Sequence, residues 1–280
     1  MESHNNQKKI AVINDMTGFG RCALTVAIPV ISVMKVQCCP VPTSILSNHT
    51  AFESCFIDDY TDKMEAYIGE WKKLGLEFSG IYSGFLGSED QIRIVTDFFK
   101  DFKRGETQII IDPVMGDHGK AYRTYTPKMC EAMKGLVTYG NILTPNVTEA
   151  CILTDTPYKE TWTFEQLCAM AQSLSAMGPE KVVITGVPRG GFLGNFCYVR
   201  QADGHGVSLL SKIKQTGRSR CGTGDLFASI IAADAVNGVP FAASVRKASK
   251  FIKACIVESE KREIPVTDGV CFEDLLYKLR

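Results

Sequence analysis

Charge of one sign is what this sequence most plainly lacks: 31 lysines and arginines are balanced by 31 aspartates and glutamates. A cationic face that would draw in nucleic acid or an anionic membrane is therefore not expected. Histidine is scarce, with four residues, and the eleven cysteines include no Cys-x-x-Cys pair. In a chain too large to need disulfide staples, such scattered thiols read as reduced and cytosolic. No apolar run approaches the length needed to cross a bilayer, and the polar opening MESHNNQKK leads straight into a strand-like run. Neither export nor membrane insertion is expected from these features, and a cytoplasmic location is. Internal repeats, linkers and low-complexity tracts are also missing. What is present is 280 residues, 45% hydrophobic and 22% charged, the composition of a globular protein with one large core. A single domain over 1–280 is the expectation.

Periodicity predicts short β-branched strands over 9–14, 36–42, 80–83, 108–112, 141–144, 181–185, 192–200 and 207–213. Amphipathic helices are predicted over 22–34, 61–74, 88–102, 127–136, 164–177, 226–236 and 241–258. This alternation predicts an α/β fold with a mostly parallel sheet covered by helices on both faces. Around the turn-prone Asp203-Gly204-His205-Gly206 the pattern changes to two adjacent strands, an antiparallel hairpin at a sheet edge.

Open parallel sheets bind ligands at the carboxyl ends of their strands, so strand ends carry the search for chemistry. The strongest candidate is Arg220-Cys221-Gly222-Thr223-Gly224-Asp225, followed by the helical run LFASIIAADAV. Small residues let backbone approach an anion, and the first amides of the helix offer unpaired N–H groups with a favourable dipole. Asp225 would stand beside that cradle as a base for a hydroxyl while phosphoryl charge is held. Taken alone, the same four residues also read as an ordinary capped helix start. A second strand end, Ile111-Asp112-Pro113-Val114-Met115-Gly116-Asp117, delivers a carboxylate at its tip. A third runs Leu143-Thr144-Pro145-Asn146 and on to Glu149, hard oxygen donors of the kind that magnesium or its waters prefer. Asp112 read as a turn cap, and Asn146 with Glu149 read as a capping box, are the alternatives.

Together DPVMGD, TPNVTEA, VVITG and RCGTGDLFA resemble the ribokinase-like superfamily over nearly the whole chain. Ser47-Asn48-His49-Thr50 and Ser83-Gly84-Phe85-Leu86-Gly87-Ser88 are similar to the signatures of its pyridoxal kinase branch. The resemblance implies a three-layer ribokinase-like sandwich and transfer of the γ-phosphate of ATP to the 5′-hydroxymethyl group of a vitamin B6 vitamer. It implies Asp225 as base and the Gly222, Thr223 and Gly224 amides as anion hole. Asp112 and Glu149 would serve magnesium, Thr144 and Asn146 the phosphates or a monovalent cation such as potassium, and Thr185 and Gly186 the nucleotide. The vitamer would meet Asn14, Asp15, Ser47, His49, Thr50, Phe85 and Asp225. The resemblance also implies a homodimer. Relatives often place serine where Asp15 stands and tyrosine where Phe85 stands. An ionised aspartate can only accept a hydrogen bond and would favour a protonated ring; Phe85 keeps the packing and drops a hydroxyl.

His49 admits three readings, as substrate contact, loop anchor or exposed side chain, but not as a second acid or base, for which the reaction has no task. Cys221 reads as a small side chain packed under its loop. The polar run 116–125 suits a flap over the phosphates, with Lys120 or Arg123 as phosphate contacts, or else a solvated loop. The basic stretch 212–220 could border the nucleotide. A hydroxymethylpyrimidine kinase, or another small-molecule kinase of the same fold such as a sugar kinase, is the alternative function, and a non-catalytic vitamin binder a more distant one. Against the first stands Asp225, where that branch often carries cysteine. Against the second stands the intact set of base, carboxylates and glycines.

Overall fold

The computed structural model describes residues 3–214 and 216–280. The chain forms two compact units, one built from Met1–Gln108 and Thr216–Arg280, the other from Ile109–Gln215. The first opens with β1 (Lys9–Phe19), α1 (Ala23–Val33), β2 (Gln37–Asn48), β3 (Ile57–Asp59), α2 (Thr61–Lys73), β4 (Gly80–Ser83) and α3 (Glu89–Phe102). β1 pairs in parallel with both β4 and β2, and β3 adds an antiparallel edge to β2. Every residue from Lys9 to Asp15 is buried. Since strand side chains alternate between faces, such a run means that both faces are covered. An aromatic cluster of Trp71, Phe78, Phe98 and Phe102 ties α2 and α3 together, with Phe98 and Phe102 stacked at 4.4 Å.

The second unit holds β5 (Gln108–Ile111), β6 (Gly116–Asp117), β7 (Lys120–Ala121), α4 (Pro127–Val137), β8 (Ile142–Leu143), α5 (Val147–Leu153), α6 (Phe164–Ala176), β9 (Lys181–Arg189), β10 (Phe192–Arg200) and β11 (Gly206–Lys214). β5, β8 and β9 are parallel, whereas β9, β10 and β11 form an antiparallel meander. The chain then returns to the first unit as α7 (Thr223–Asn237) and α8 (Phe241–Lys261), which pack on each other, with α7 also against α1 and β4.

The α/β class, the parallel strands and the edge hairpin stand as the periodicity predicted. Several boundaries do not. The first strand, predicted to end at 14, runs on through Met16-Thr17-Gly18-Phe19: β1 bulges between Asn14 and Met16, then resumes its pairing, with Met16 opposite Ile45 and Phe19 opposite Asn48. A bulge absorbs one residue without ending the ladder, and Gly and Thr in its wake mimic a loop in composition. The expected loop 116–125 contains the β6–β7 hairpin. It is fastened by the Gly119 N–H to Thr148 Oγ1 at 2.9 Å and by the Tyr125 hydroxyl to the Pro113 carbonyl at 3.1 Å. Lys120 and Arg123 are exposed on it. Of the basic stretch 212–220, Gln215 and the side chains of Ile213 and Lys214 lie outside the described residues.

Candidate active site

In the first unit the site is built from the carboxyl ends of β1 and β4 and the amino ends of α1 and α7. Gly222 caps α7 with φ +82°, and a Cβ there would lie 1.9 Å from the Arg21 carbonyl, so only glycine fits. The close approach of these two segments puts Asp225, in the first helical turn, where the Ala23 N–H and the Asn14 side chain reach it. Asn14 Nδ2 donates to Asp225 Oδ1 at 3.4 Å, while Asn14 Oδ1 accepts from the Asp15 and Phe85 N–H groups at 3.0 and 2.9 Å. Gly84 permits that arrangement, since a Cβ would stand 2.5 Å from Asn14 Nδ2. Burial raises the proton affinity of Asp225, against the opposing pull of bonds from Ala23 and Asn14. A partly desolvated carboxylate with enhanced basicity, held by two donors, is suited to accept a hydroxyl proton. At Gly224, exposed in the first turn, a Cβ would meet nothing within 4 Å. That open space beside the first amides of the helix fits an anion.

Asp15 is buried at the β1 bulge. Desolvation pushes its carboxyl up to about 6, aided by the Asp225 charge and opposed by the bond from Thr17 Oγ1, 2.5 Å from Asp15 Oδ2. Phe85 is half-buried, with its carbonyl accepting from Thr43 Oγ1 at 3.1 Å. Ser47 is exposed; its hydroxyl donates to Asn48 Oδ1 and accepts from the Phe56 N–H. Thr50 is exposed in the turn beyond. His49 is buried, its Nε2 2.7 Å from the Thr267 carbonyl and its Nδ1 accepting from the Ala51 N–H at 3.2 Å. Both ring nitrogens are thus engaged with backbone, which anchors the 47–50 segment to Thr267. Cys221 and Cys22 bond thiol to thiol. That contact, then burial, raises the Cys22 thiol far above its ordinary range, so Cys22 serves packing and not chemistry.

In the second unit, Asp112 follows β5, Thr144 follows β8, and Thr185 lies within β9 in a bridge to Asn146. Thr144 is buried, its hydroxyl directed at the Ile111 carbonyl at 3.5 Å; Gly186 follows Thr185 with φ +69°. Asn146 caps α5 by accepting from the Glu149 N–H at 3.0 Å, and Glu149 Oε2 accepts from the Asn146 N–H at 2.8 Å. Glu149 Oε1 also accepts from the Met115 N–H at 3.0 Å, and Asn146 Nδ2 donates to the Gly116 carbonyl at 2.8 Å. The capping box is therefore real, and Glu149 additionally holds the 113–117 turn. Burial pushes the Glu149 carboxyl up to about 7, with the Asp117 charge adding and the backbone donors opposing. A buried carboxylate with both oxygens on N–H donors fits contact with a hydrated cation better than direct ligation. Among the described residues no three His, Cys, Asp or Glu side chains are grouped so as to hold a metal ion.

Sequence reasoning missed the part played by the 20–23 segment, where Arg21 and Ala23 adopt φ of +50° and +51° to bring the Ala23 N–H onto Asp225. It also missed the C-terminal clasp. Arg21 bonds Glu273 at 2.6 Å and the Asp268 carbonyl at 3.0 Å, while the buried Arg220 bonds Glu260 and the carbonyls of Ile264 and Pro265. Positive φ at non-glycine residues leaves no trace in composition.

The phosphomethylpyrimidine kinase family model matches residues 28–268. The chain belongs to the phosphomethylpyrimidine kinase family. A Bacteroides thetaiotaomicron protein assigned to the phosphomethylpyrimidine kinases and crystallised with pyridoxal is 38% identical. The match covers 98% of this chain and 96% of that one at a TM-score of 0.93. Pyridoxal kinase from Lactobacillus plantarum is 26% identical, with 97% and 96% of the two chains covered and a TM-score of 0.88. The ribokinase-like α/β fold implied by the sequence motifs is thereby shown, and this family member resembles pyridoxal kinases as well as pyrimidine kinases. Hydroxymethylpyrimidine/phosphomethylpyrimidine kinase of Haemophilus influenzae is 29% identical over 175 residues, 62% of this chain and 63% of that protein. Two further curated relatives, from Schizosaccharomyces pombe and Caenorhabditis elegans, are matched over 34% and 50% of their lengths. The chain thus spans about half the length of these three relatives. Among the described residues no helix is long and apolar enough to cross a membrane.

Proposed function

We propose that this family member transfers the γ-phosphoryl group of ATP to the 5′-hydroxymethyl group of pyridoxal, pyridoxine or pyridoxamine. The observation that carries the reading is Asp225, a carboxylate of raised proton affinity at the start of α7 beside an open, glycine-lined anion cradle. The 38% identical Bacteroides relative crystallised with pyridoxal supports the choice of vitamer class. In the reaction Asp225 takes the hydroxyl proton, the substrate oxygen forms a bond to γ-phosphorus, and the bond from γ-phosphorus to the bridging oxygen breaks to release ADP. The Gly222, Thr223 and Gly224 amides hold the charge on the transferred group.

Asn14, Asp15 and Phe85 would bind the vitamer, with Ser47 and Thr50 near it in a subsidiary role. Thr144, Asn146, Thr185 and Gly186 would bind the nucleotide. Magnesium would be held by phosphates, with Asp112 and Glu149 on its waters, and would neutralise phosphate charge; a potassium ion nearby is part of the same reading. We further propose that the chain works as one kinase domain, as a homodimer in the cytoplasm. Phosphorylation of hydroxymethylpyrimidine is the second reading, favoured by the family match and by the Haemophilus relative.

The test is ATP consumption with magnesium and potassium, each vitamer and hydroxymethylpyrimidine being offered separately to the wild type and to Asp225→Asn. Turnover on a vitamer that falls at least a hundredfold, roughly the size of a general-base contribution, supports both reaction and base. Turnover on the pyrimidine alone moves the assignment to the second reading, and an undiminished variant removes Asp225 from the chemistry.

A further inference from the structure

The stretch that follows α8 supplies no side chain to phosphoryl transfer, yet it touches three of the segments from which the site in the first unit is made. Its carbonyls do most of the holding. Arg220, immediately ahead of Cys221-Gly222, is buried, and its Nη1 donates to the carbonyls of Ile264 and Pro265 at 2.8 and 3.0 Å. Its Nη2 donates at 3.1 Å to Glu260 Oε1, which also accepts from the Arg218 N–H at 3.3 Å. The Val270 N–H reaches the Cys221 carbonyl at 3.2 Å. From the same stretch the Asp268 carbonyl accepts from Arg21, and the Thr267 carbonyl engages His49. Gly269 lies so close to the Gly20 carbonyl that a Cβ would come within 2.2 Å of it.

Stability alone does not account for Arg220. The desolvation of a buried cation is seldom more than offset by its ion pair, and apolar side chains of similar volume often serve a fold as well. Here the compensation is incomplete. Among the described residues Arg220 Nε has no hydrogen-bond partner, and Glu260, the carboxylate that pairs with Arg220, is partly open to solvent. What the guanidinium does supply is direction. Its planar fork fixes several donors at set angles, so two carbonyls just past the end of α8 and one carboxylate define where the backbone at residue 220 runs. A cation is also favoured at that end of a helix.

The path from this anchor to the chemistry is short. The Arg220 carbonyl accepts from Thr223 Oγ1, in the first turn of α7, at 3.2 Å. Between them Gly222 is pressed against the Arg21 carbonyl, and Arg21 is itself tied to Asp268 and Glu273. One clasp therefore sets both sides of the junction that brings the Ala23 N–H to Asp225 and places the first amides of α7 beside the open space at Gly224. A small misplacement of such donors matters little to a bound ground state and much to a transition state whose charge they must meet.

We propose, resting on the phosphoryl-transfer reading, that Arg220 is a positioning residue: by binding the carbonyls of Ile264 and Pro265 it holds the Gly222–Gly224 turn in register with Asp225, so that the anion hole fits the phosphoryl group in transfer. Its side chain is fully buried and acts through the turn, not on a ligand. The last residue of the basic stretch 212–220 thus serves the site from behind it.

The experiment compares the wild type with Arg220→Lys, which keeps the charge and loses the fork. Arg262→Ala is the control, since it removes pairs with Glu258 and Asp274 near the same helix end without reaching the anion-hole turn. Steady-state kinetics give kcat and KM for ATP and for each accepted alcohol. Calorimetry gives stoichiometry and affinity for magnesium ADP alone and with aluminium fluoride, which stands in for the transferring phosphoryl group. In Arg220→Lys kcat should fall about ten- to a hundredfold with both KM values within about threefold. The affinity gained on adding aluminium fluoride should shrink by a similar factor while that for ADP alone holds. Arg262→Ala should match the wild type throughout.

Wild-type kcat in Arg220→Lys overturns the inference. A rise in KM with kcat unchanged, or equal weakening of both ADP complexes, assigns Arg220 to ground-state binding and overturns it too. Fewer binding molecules, each with wild-type affinities, assign it to folding alone, with the same result. If Arg220→Lys does not fold, Glu260→Gln, which weakens the hold on Arg220 while keeping an acceptor, decides: a smaller aluminium fluoride gain supports the inference and an unchanged one overturns it. A wild type that turns over no vitamer yet gains affinity from aluminium fluoride refutes the vitamin reading and leaves the inference to be decided by the gain in Arg220→Lys. One that shows neither refutes both.

Discussion

At the residue scale, the chemistry of this site lies in carboxylates placed where water cannot fully reach them. Asp15 shows what that costs. Its folded-state proton affinity, about 6, lies above the ordinary value of 3.8 because burial disfavours the charge. The folded protein therefore holds a proton that the unfolded chain has already released. Stability from this group is complete below about pH 4 and is lost as pH rises through 6. Asp15→Asn, which cannot ionise, should melt a few degrees above the wild type at pH 7.5, for a gain of up to about 2–3 kcal/mol, and at the same temperature at pH 4. Thermal melts at the two pH values check this; an equal shift at both would point to packing instead of charge. Such stabilisation on removing a site residue is the usual trade between function and stability. The candidacy of Asp15 and Asp225 was legible from their neighbours in the chain, whereas the occupation of His49 was not. Both of its nitrogens are engaged by Thr267 and Ala51 backbone, and Thr267 lies more than two hundred residues away in sequence.

At the element scale, α7 and the turn before it are the functional unit, and two glycines within it separate structure from catalysis. Gly222→Ala would force a Cβ into the Arg21 carbonyl at a left-handed position, so it should destabilise the fold by at least about 2 kcal/mol and lower expression. Gly224→Ala meets open space, so its melting temperature should stay near that of the wild type or rise, alanine being the better helix former. If that space holds phosphate, kcat/KM for ATP should nevertheless fall by tenfold or more, about 1.4 kcal/mol of lost stabilisation. Paired melts and steady-state kinetics distinguish the two, and a fully active Gly224→Ala would move the cradle elsewhere. Strand and helix order, the edge hairpin and the Asn146 to Glu149 capping box could be read from periodicity and cap residues. The extension of β1 past its bulge and the β6–β7 hairpin could not, because pairing across the sheet overrides the loop-like composition of 16–20 and 116–121. The junction of Gly222 with Arg21 is equally hidden, being a contact between segments two hundred residues apart.

Over the whole molecule, net charge is zero and composition says little beyond globularity, yet the buried acids give the protein a characteristic response to pH. Asp15 at about 6 and Glu149 at about 7, against an ordinary 4.5, both keep protons in the folded state after the unfolded chain has lost them. Asp59 and Glu273 are shifted the other way. Burial is the largest single influence and raises both, but the Thr61 and Gln91 bonds with the Lys63 charge at Asp59, and the Arg21 bond and charge with backbone N–H donors at Glu273, together outweigh it. The two act below the ordinary carboxylate range. Between pH 5 and 8 the raised acids therefore dominate, and the ligand-free protein should lose stability as pH rises, by a few kcal/mol across the window. In Asp15→Asn the part of that loss near pH 6 should disappear while the part near 7 persists. If magnesium and nucleotide gather at Glu149, as proposed, they favour its ionised form, and linkage then requires them to bind more tightly at pH 8 than at pH 5. Melting temperature measured across this range with and without magnesium and ADP tests the argument. The gap between the two curves should widen with pH, and a constant gap would mean that Glu149 serves only the capping box and the 113–117 turn.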